Sequence, residues 1–157
     1  MLIGSSDSLT SDAGKLRVTI SDNEFDGTLE RTPRVRFGQV HVYNNYYNQG
    51  ANPAMQYGIG VGINSQVYDQ NNYFQLPSNL KASDILKVYK GTKIHTEGDI
   101  VNGSAVNLLT AYNAANSPKL SANVGWTPTY FNTIVAASLV PTRVTNNAGT
   151  GHTLTEA

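Results

Sequence analysis

The chain has 157 residues, of which 39% are hydrophobic and 14% charged, and its 11 basic and 11 acidic side chains give a formal net charge of zero. That length suits one domain with a real core. The missing basic surplus argues against a nucleic-acid partner, and the same neutrality gives no support to a role at a membrane. No cysteine is present, which excludes disulfides, thiolate metal sites and cysteine nucleophiles. Asn, Thr, Ser and Gly together make up 58 of the 157 residues. These are poor helix-interior residues, while Val, Ile and Tyr are too plentiful for disorder. The composition therefore predicts an all-β chain with many turns.

In chain order, Met1 to Asp7 carries neither a basic region nor a long apolar run, so it does not read as a signal peptide. The stretches 37–68 and 120–142 hold no Asp, Glu, Lys or Arg. Asn, Gln, Gly and Pro interrupt both, so neither reads as a membrane span.

Three segments then align without gaps: Val18–Phe25, Val40–Tyr47 and Val67–Phe74. Each begins with Val, carries Asn at its sixth place (Asn23, Asn45, Asn72) and ends in an aromatic residue, with the asparagines 22 and 27 residues apart. Periods in the twenties belong to stacked solenoid coils, none of which can bury its apolar face alone. In a parallel β-helix the alternating apolar residues point into the stack. A side-chain amide at the bend can bond its equivalents above and below. Three unrelated strand–turn units of an antiparallel sandwich are the competing reading, since Asn also favours turns.

Asp22-Asn-Glu24-Phe-Asp26-Gly27 resembles the start of an EF-hand loop, but its twelfth position is Pro33 instead of the bidentate Glu that such a loop needs. If the strand continued, Asp22, Glu24 and Asp26 would share one face and allow weak calcium association. Next comes Arg31-Thr-Pro33-Arg34-Val35-Arg36-Phe37-Gly38. Strand alternation predicts Val35 and Phe37 on one side and Arg34 and Arg36 on the other, while Pro33 sets Arg31 on a bend. Three guanidinium groups on an outer surface read either as a solvated basic face or as an anion site, because their forks match carboxylates.

Farther on, Val106, Leu109 and Tyr112 predict a short amphipathic helix within 104–116, capped by Ser104. Gly125 to Pro128 followed by 134–140 reads as irregular chain plus a short apolar segment, covering the open end or flank of the stack. The predicted organisation is residues 1–103 as coils and 104–157 as a flanking or capping segment of the same domain. His41, His95 and His152 lack the spacing of a metal cluster. His41 is expected on the outer wall, and Trp126 and the tyrosines are expected to stack within the solenoid.

Taken together, Gly4-Ser-Ser-Asp-Ser8, Gly14 to Ile20 and, above all, Arg31 to Tyr47 resemble pectate lyases of the first polysaccharide lyase family, a similarity that continues through Tyr57–Gly60, Val67–Asn72 and Gly125–Pro128. The resemblance implies a right-handed parallel β-helix, an all-β fold in agreement with the repeat. It implies a portion of a secreted lyase that cleaves polygalacturonate (pectin) by calcium-dependent β-elimination. Arg31 is then the catalytic base, Arg36 the residue that pairs with a substrate carboxylate, and Arg34 a support.

Family members are roughly twice as long or more, and this sequence aligns with their C-terminal part. The Ca2+ ligands and a substrate-binding lysine are therefore expected upstream of Met1, with no metal ligand in this chain. The isolated chain is expected to be inactive. Its broken end is expected to associate with a complementary N-terminal chain or with itself. A non-catalytic binder of acidic polysaccharide and a purely structural solenoid are the alternatives, and a structural stack has no need of Arg31 and Arg36.

Overall fold

The computed structural model describes residues 1–152, whose backbone climbs through four coils of three short strands each. The first coil holds β1 (Leu2–Ile3), β2 (Arg17–Ser21) and β3 (Glu24–Asp26); the second, β4 (Arg34–Val35), β5 (Gln39–Tyr43) and β6 (Tyr46–Asn48). The third holds β7 (Ile59–Gly62), β8 (Gln66–Gln70) and β9 (Tyr73–Gln75); the fourth, β10 (Leu86–Tyr89), β11 (His95–Glu97) and β12 (Ile100–Val101). Corresponding strands pair in parallel, so the coils stack into three sheets, β1-β4-β7-β10, β2-β5-β8-β11 and β3-β6-β9-β12. The fold is a parallel β-helix, not a sandwich.

The gapless alignment of the three segments is the pairing register itself. Val18 lies opposite Val40 and Val40 opposite Val67, while Phe25 faces Tyr47 and Tyr47 faces Phe74. The aromatic rings stack coil on coil, Tyr47 on Phe74 at 4.2 Å and 16°. Val35, Val40, Val42, Ile59, Val61 and Val67 are fully buried around them in one contiguous core.

Between the second and third sheets each coil turns on two residues. The first is left-handed in every coil: Asp22 (φ 56), Asn44 (φ 51), Asn71 (φ 51) and Gly98 (φ 71). Asn and Asp tolerate that region better than other side chains, and in the fourth coil a Cβ on Gly98 would collide with Asn71 Oδ1. The second residue points inward and forms the ladder. Asn45 Oδ1 accepts from the Asn23 amide (3.1 Å), Asn72 Oδ1 from that of Asn45 (2.8 Å) and Asp99 Oδ1 from that of Asn72 (2.8 Å). The repeat thus has a fourth copy, Ile94–Val101, in which Asp99 replaces the asparagine.

That replacement places two acids inside the stack. Asp69 and Asp99 are buried, and Oδ2 of each lacks a hydrogen-bond partner among the described residues. Burial raises both carboxyls, that of Asp69 to about 6, and the neighbouring Asp69 charge pushes Asp99 up further.

Two expectations need correction. Residues 104–105 are not a helix cap: β13 (Ser104–Ala105) folds back antiparallel on β12 through Asn102 and Gly103, both left-handed, as an Asn-Gly hairpin turn requires. Helix α1 starts later, at Leu108–Ala115, with Asn107 as its cap, Oδ1 accepting from the Thr110 amide at 2.9 Å. It packs on β10 and β11, so it is α1 that closes the far end of the stack. The apolar segment 134–140 is irregular through 136, makes a 3-10 turn at Ala137–Leu139 and leads into α2 (Val140–Asn147), which lies against β6, with Arg143 Nε donating to Asp22 Oδ1 at 2.8 Å. Finally, the strand at Arg34 stops at Val35. Phe37 is left-handed (φ 58) and buried outside the contiguous core, so its alternation with Val35 breaks there.

The segment before α2 straps the outer face of the second sheet. Trp126 Nε1 donates to the Gln66 carbonyl (2.9 Å), and the Val135 carbonyl accepts from Asn44 and Asn71 (2.9 and 3.0 Å). His41 does sit on that outer wall, paired in register with Tyr68, but it is only 2% exposed, stacked on Tyr43 and edge-on to Phe131. At the other end of the stack β1, β2 and β3 each pair on one side only.

Because burial and charge repulsion favour the neutral forms, the acid pair stabilises the fold fully below the ordinary carboxylate range. That stability is lost as pH rises through about 6. Replacing Asp99 by Asn completes the amide ladder and removes one acid. We expect Asp99→Asn to raise the melting temperature at pH 8 by about 3 °C and to flatten its fall between pH 5 and 8; a variant that melts lower at pH 8 would contradict the shared burial of the two acids.

Candidate active site

The arginine segment lies on the outer face of the first sheet. Arg31 occupies a left-handed bend (φ 62) ahead of β4. The bend is anchored from the next coil. Thr32 donates to the Gly58 carbonyl through both its amide (2.8 Å) and its hydroxyl (2.9 Å), and the Tyr47 hydroxyl donates to the Thr32 carbonyl (2.6 Å). Pro33 follows Thr32 in cis, and its carbonyl accepts from Gly60 at 2.9 Å. A core tyrosine and the third coil therefore set where Arg31 begins. Its side chain is 43% exposed, and its Nε lies 2.9 Å from Glu30 Oε1 but makes no hydrogen bond, so the contact is Coulombic.

Arg34 and Arg36 leave the sheet outward on either side of the inward Val35. Glycines make room for them. A Cβ at Gly60 would come within 2.9 Å of Arg34 Cγ, and one at Gly4 within 2.9 Å of Arg36 Cβ. Arg34 lies flat across Gly60 and stacks its guanidinium 3.9 Å from the centre of the Tyr89 ring, a cation–π contact suited to a weakly hydrated planar ion. Tyr89 in turn lies 5.7 Å from Tyr57, which is buried beside Arg31. Burial, then the Tyr89 hydroxyl, pushes the Tyr57 phenol up to about 12, so it stays neutral in moderately alkaline solution and offers no base there.

Arg36 is held more firmly. Its Nε donates to Asp7 Oδ1 at 2.8 Å and its Nη1 to the Gly4 carbonyl at 3.1 Å, leaving the side chain 13% exposed. The other oxygen of Asp7 meets Lys90 Nζ at 3.1 Å. Those two hydrogen bonds, that of Arg36 foremost, hold the Asp7 carboxyl below its ordinary range. The structure thus places the three arginines on one face in two groups, Arg31–Tyr57–Tyr89–Arg34 and Arg36–Asp7–Lys90.

Asp7, Tyr57, Tyr89 and Lys90 were not singled out in the sequence. Gly4 to Ser8 carried a signal as part of the family-like run, whereas nothing near Lys90 marks it before the coils are stacked. Asp22, Glu24 and Asp26 do not form a metal cradle. The left-handed Asp22 breaks the strand and pairs with Arg143, Glu24 accepts from Asn48, and no group of three potential ligands occurs among the described residues.

A family model described as pectate lyase matches residues 1–153. The chain belongs to the pectate lyase family. It is 42% identical over 154 residues to a pectate lyase of Bacillus subtilis, covering 96% of this chain and 35% of the Bacillus enzyme. Among solved structures it resembles a thermostable pectate lyase (41% identity, TM-score 0.90, 97% of this chain and 38% of that one). It also resembles a pectate lyase bound to a hexasaccharide (40% identity, TM-score 0.86, 96% and 37%). The chain therefore spans little more than a third of the length of the pectate lyases that it matches.

The arginine face depends on the glycines beneath it. A Cβ at Gly62 would collide with the Val35 carbonyl and come within 3.2 Å of Arg36 Cγ. We expect Gly62→Ala to cost about 2 kcal/mol of stability, in the range of overpacked sites, as measured by urea unfolding. An unchanged midpoint would show that the two coils can separate freely at that point.

Proposed function

We propose that this chain supplies the arginine-bearing coils of a pectate lyase that cleaves polygalacturonate by β-elimination, with Arg31 as base and Arg36 binding a uronate carboxylate. The observation that carries the reading is the anchoring of the two. Arg36 is fixed through Nε and Nη1, which leaves Nη2 to donate to a carboxylate, while Arg31 stands exposed on a bend fixed by the core. Elimination removes the proton on C5 of a galacturonate unit, breaks the bond from C4 to the glycosidic oxygen, and leaves an unsaturated sugar.

For that role a guanidinium must give up its proton, which an ordinary environment does not allow; concentrated positive charge favours the neutral form. Here the neighbour in contact with Arg31 is a carboxylate, that of Glu30. Calcium, which in the family acidifies the C5 proton by binding the substrate carboxylate, finds no fitting set of ligands among the described residues. Its ligands are assigned to structure outside this chain. The polymeric substrate lies outside cells, which supports secretion of the working enzyme.

The unpaired edges of β1, β2 and β3 point the same way. Leu2 and Leu29 are 53% and 52% exposed at that end, and Leu16, Val18 and Phe25 are only partly covered. Unpaired strand edges beside apolar surface invite further strands. We assign this surface to additional β-helix coils, from a longer or complementary chain or, failing that, from a second copy. A non-catalytic binder of acidic polysaccharide is the second reading, favoured by the Glu30–Arg31 contact.

Two outcomes are expected of the purified chain. With polygalacturonate and calcium at alkaline pH it gives no ultraviolet absorbance from unsaturated product, and clear turnover would refute the assignment of essential groups elsewhere. Light scattering is expected to show association, and a stable monomer would mean that the open edges need no cover.

A further inference from the structure

We infer that Lys90 and Arg36 together form a two-pronged receptor for one uronate carboxylate, with Asp7 holding the prongs together while the receptor is empty. The inference rests on the reading of the arginine face given above and adds a residue to it. Lys90 is 54 residues from Arg36 in sequence, yet both cations end on one carboxylate, Arg36 on Oδ1 at 2.8 Å and Lys90 on Oδ2 at 3.1 Å.

The position of Lys90 is built into the fold. It follows the last residue of β10 in a left-handed conformation (φ 66), which is uncommon for lysine, and forms an isolated bridge to Gly62. Gly91 then donates its amide to Val61 at 3.2 Å. The end of β10 is thereby pinned over the glycine that also makes room for Arg36, and an outlier of this kind at a cluster of charges points to a role for its side chain.

The two prongs differ in what they can release. Arg36 is mostly covered and bound at two points, so it stays on Asp7. Lys90 is 71% exposed, and an ion pair in water contributes little. Lys90 can therefore leave Asp7 for an incoming carboxylate at small cost, while the Nη2 edge of Arg36 meets the same carboxylate from the sheet side. Such a receptor selects acid over ester, because an esterified uronate carries no charge to draw Lys90 away.

The test is the affinity of the 157-residue chain for hexagalacturonate and for its fully methyl-esterified form, by titration at low ionic strength. Lys90→Asn removes the charge but suits the left-handed backbone. It is expected to weaken binding of the acid about fivefold and to leave the ester unchanged, while Lys90→Arg keeps wild-type affinity within about twofold. Arg31→Gln separates the two levels of the argument. If Arg31→Gln weakens binding and Lys90→Asn does not, or if Lys90→Asn weakens acid and ester alike, the receptor is wrong and the arginine face stands. If neither variant changes affinity, or if the wild-type chain binds no hexagalacturonate, the face itself is not a uronate site and both readings fall.

Discussion

Each of the first three coils of this molecule leaves its bend unfinished and relies on the next one to complete it. The inward amide at the bend accepts from a backbone N–H one coil before it and donates Nδ2 to carbonyls there: Asn45 to that of Ile20 at 2.8 Å, Asn72 to that of Val42 at 2.9 Å. A buried backbone group without a partner costs about as much as a lost hydrogen bond. The tight two-residue bend between the second and third sheets is therefore tolerable only in a stack. The ladder also locks register, since a slip of one residue would turn every inward Val, Ile and Tyr to solvent. That fixed register lets residues from separate coils converge on the outside of the first sheet.

Much of this could be read from the sequence, and the parts that could not have a common cause. Three copies of the repeat were visible because each ends in an aromatic residue and carries Asn at the same place. The fourth, Ile94–Val101, escaped because Asp99 stands for Asn and Val101 for an aromatic ring, although its backbone follows the same path. The hairpin at Asn102-Gly103 had a strong local signal that the spacing of Val106, Leu109 and Tyr112 obscured. Phe37 shows the limit of alternation. Its left-handed backbone ends the strand, and period-2 reasoning does not register a change of region within one residue.

The site divides in a similar way. The common face of Arg34 and Arg36 followed from alternation, and the placing of Arg31 from the bend that Pro33 sets. Their partners did not. Asp7 and Tyr89 reach Arg36 and Arg34 across coils, and the contact exists only because coil lengths bring them into register. Gly62 is equally silent in the sequence, and Gly4 and Gly60 stand out only as members of family-like runs, since what all three contribute is the space left by a missing Cβ.

The charges on this face bear on the reaction proposed for it. Each outward arginine is already engaged: Arg31 by Glu30, Arg34 by the Tyr89 ring, Arg36 by Asp7. Carboxylates at two of the three keep the face from repelling itself, which allows such dense positive charge to be held in a folded chain at all. A guanidinium in ordinary surroundings is cationic, the state that binds uronate but cannot abstract a proton. In the reaction proposed for this face, proton abstraction at Arg31 calls for positive charge from beyond these coils. That proposal separates uronate binding, assigned to residues within the stack, from proton abstraction, assigned to whatever is docked beside it.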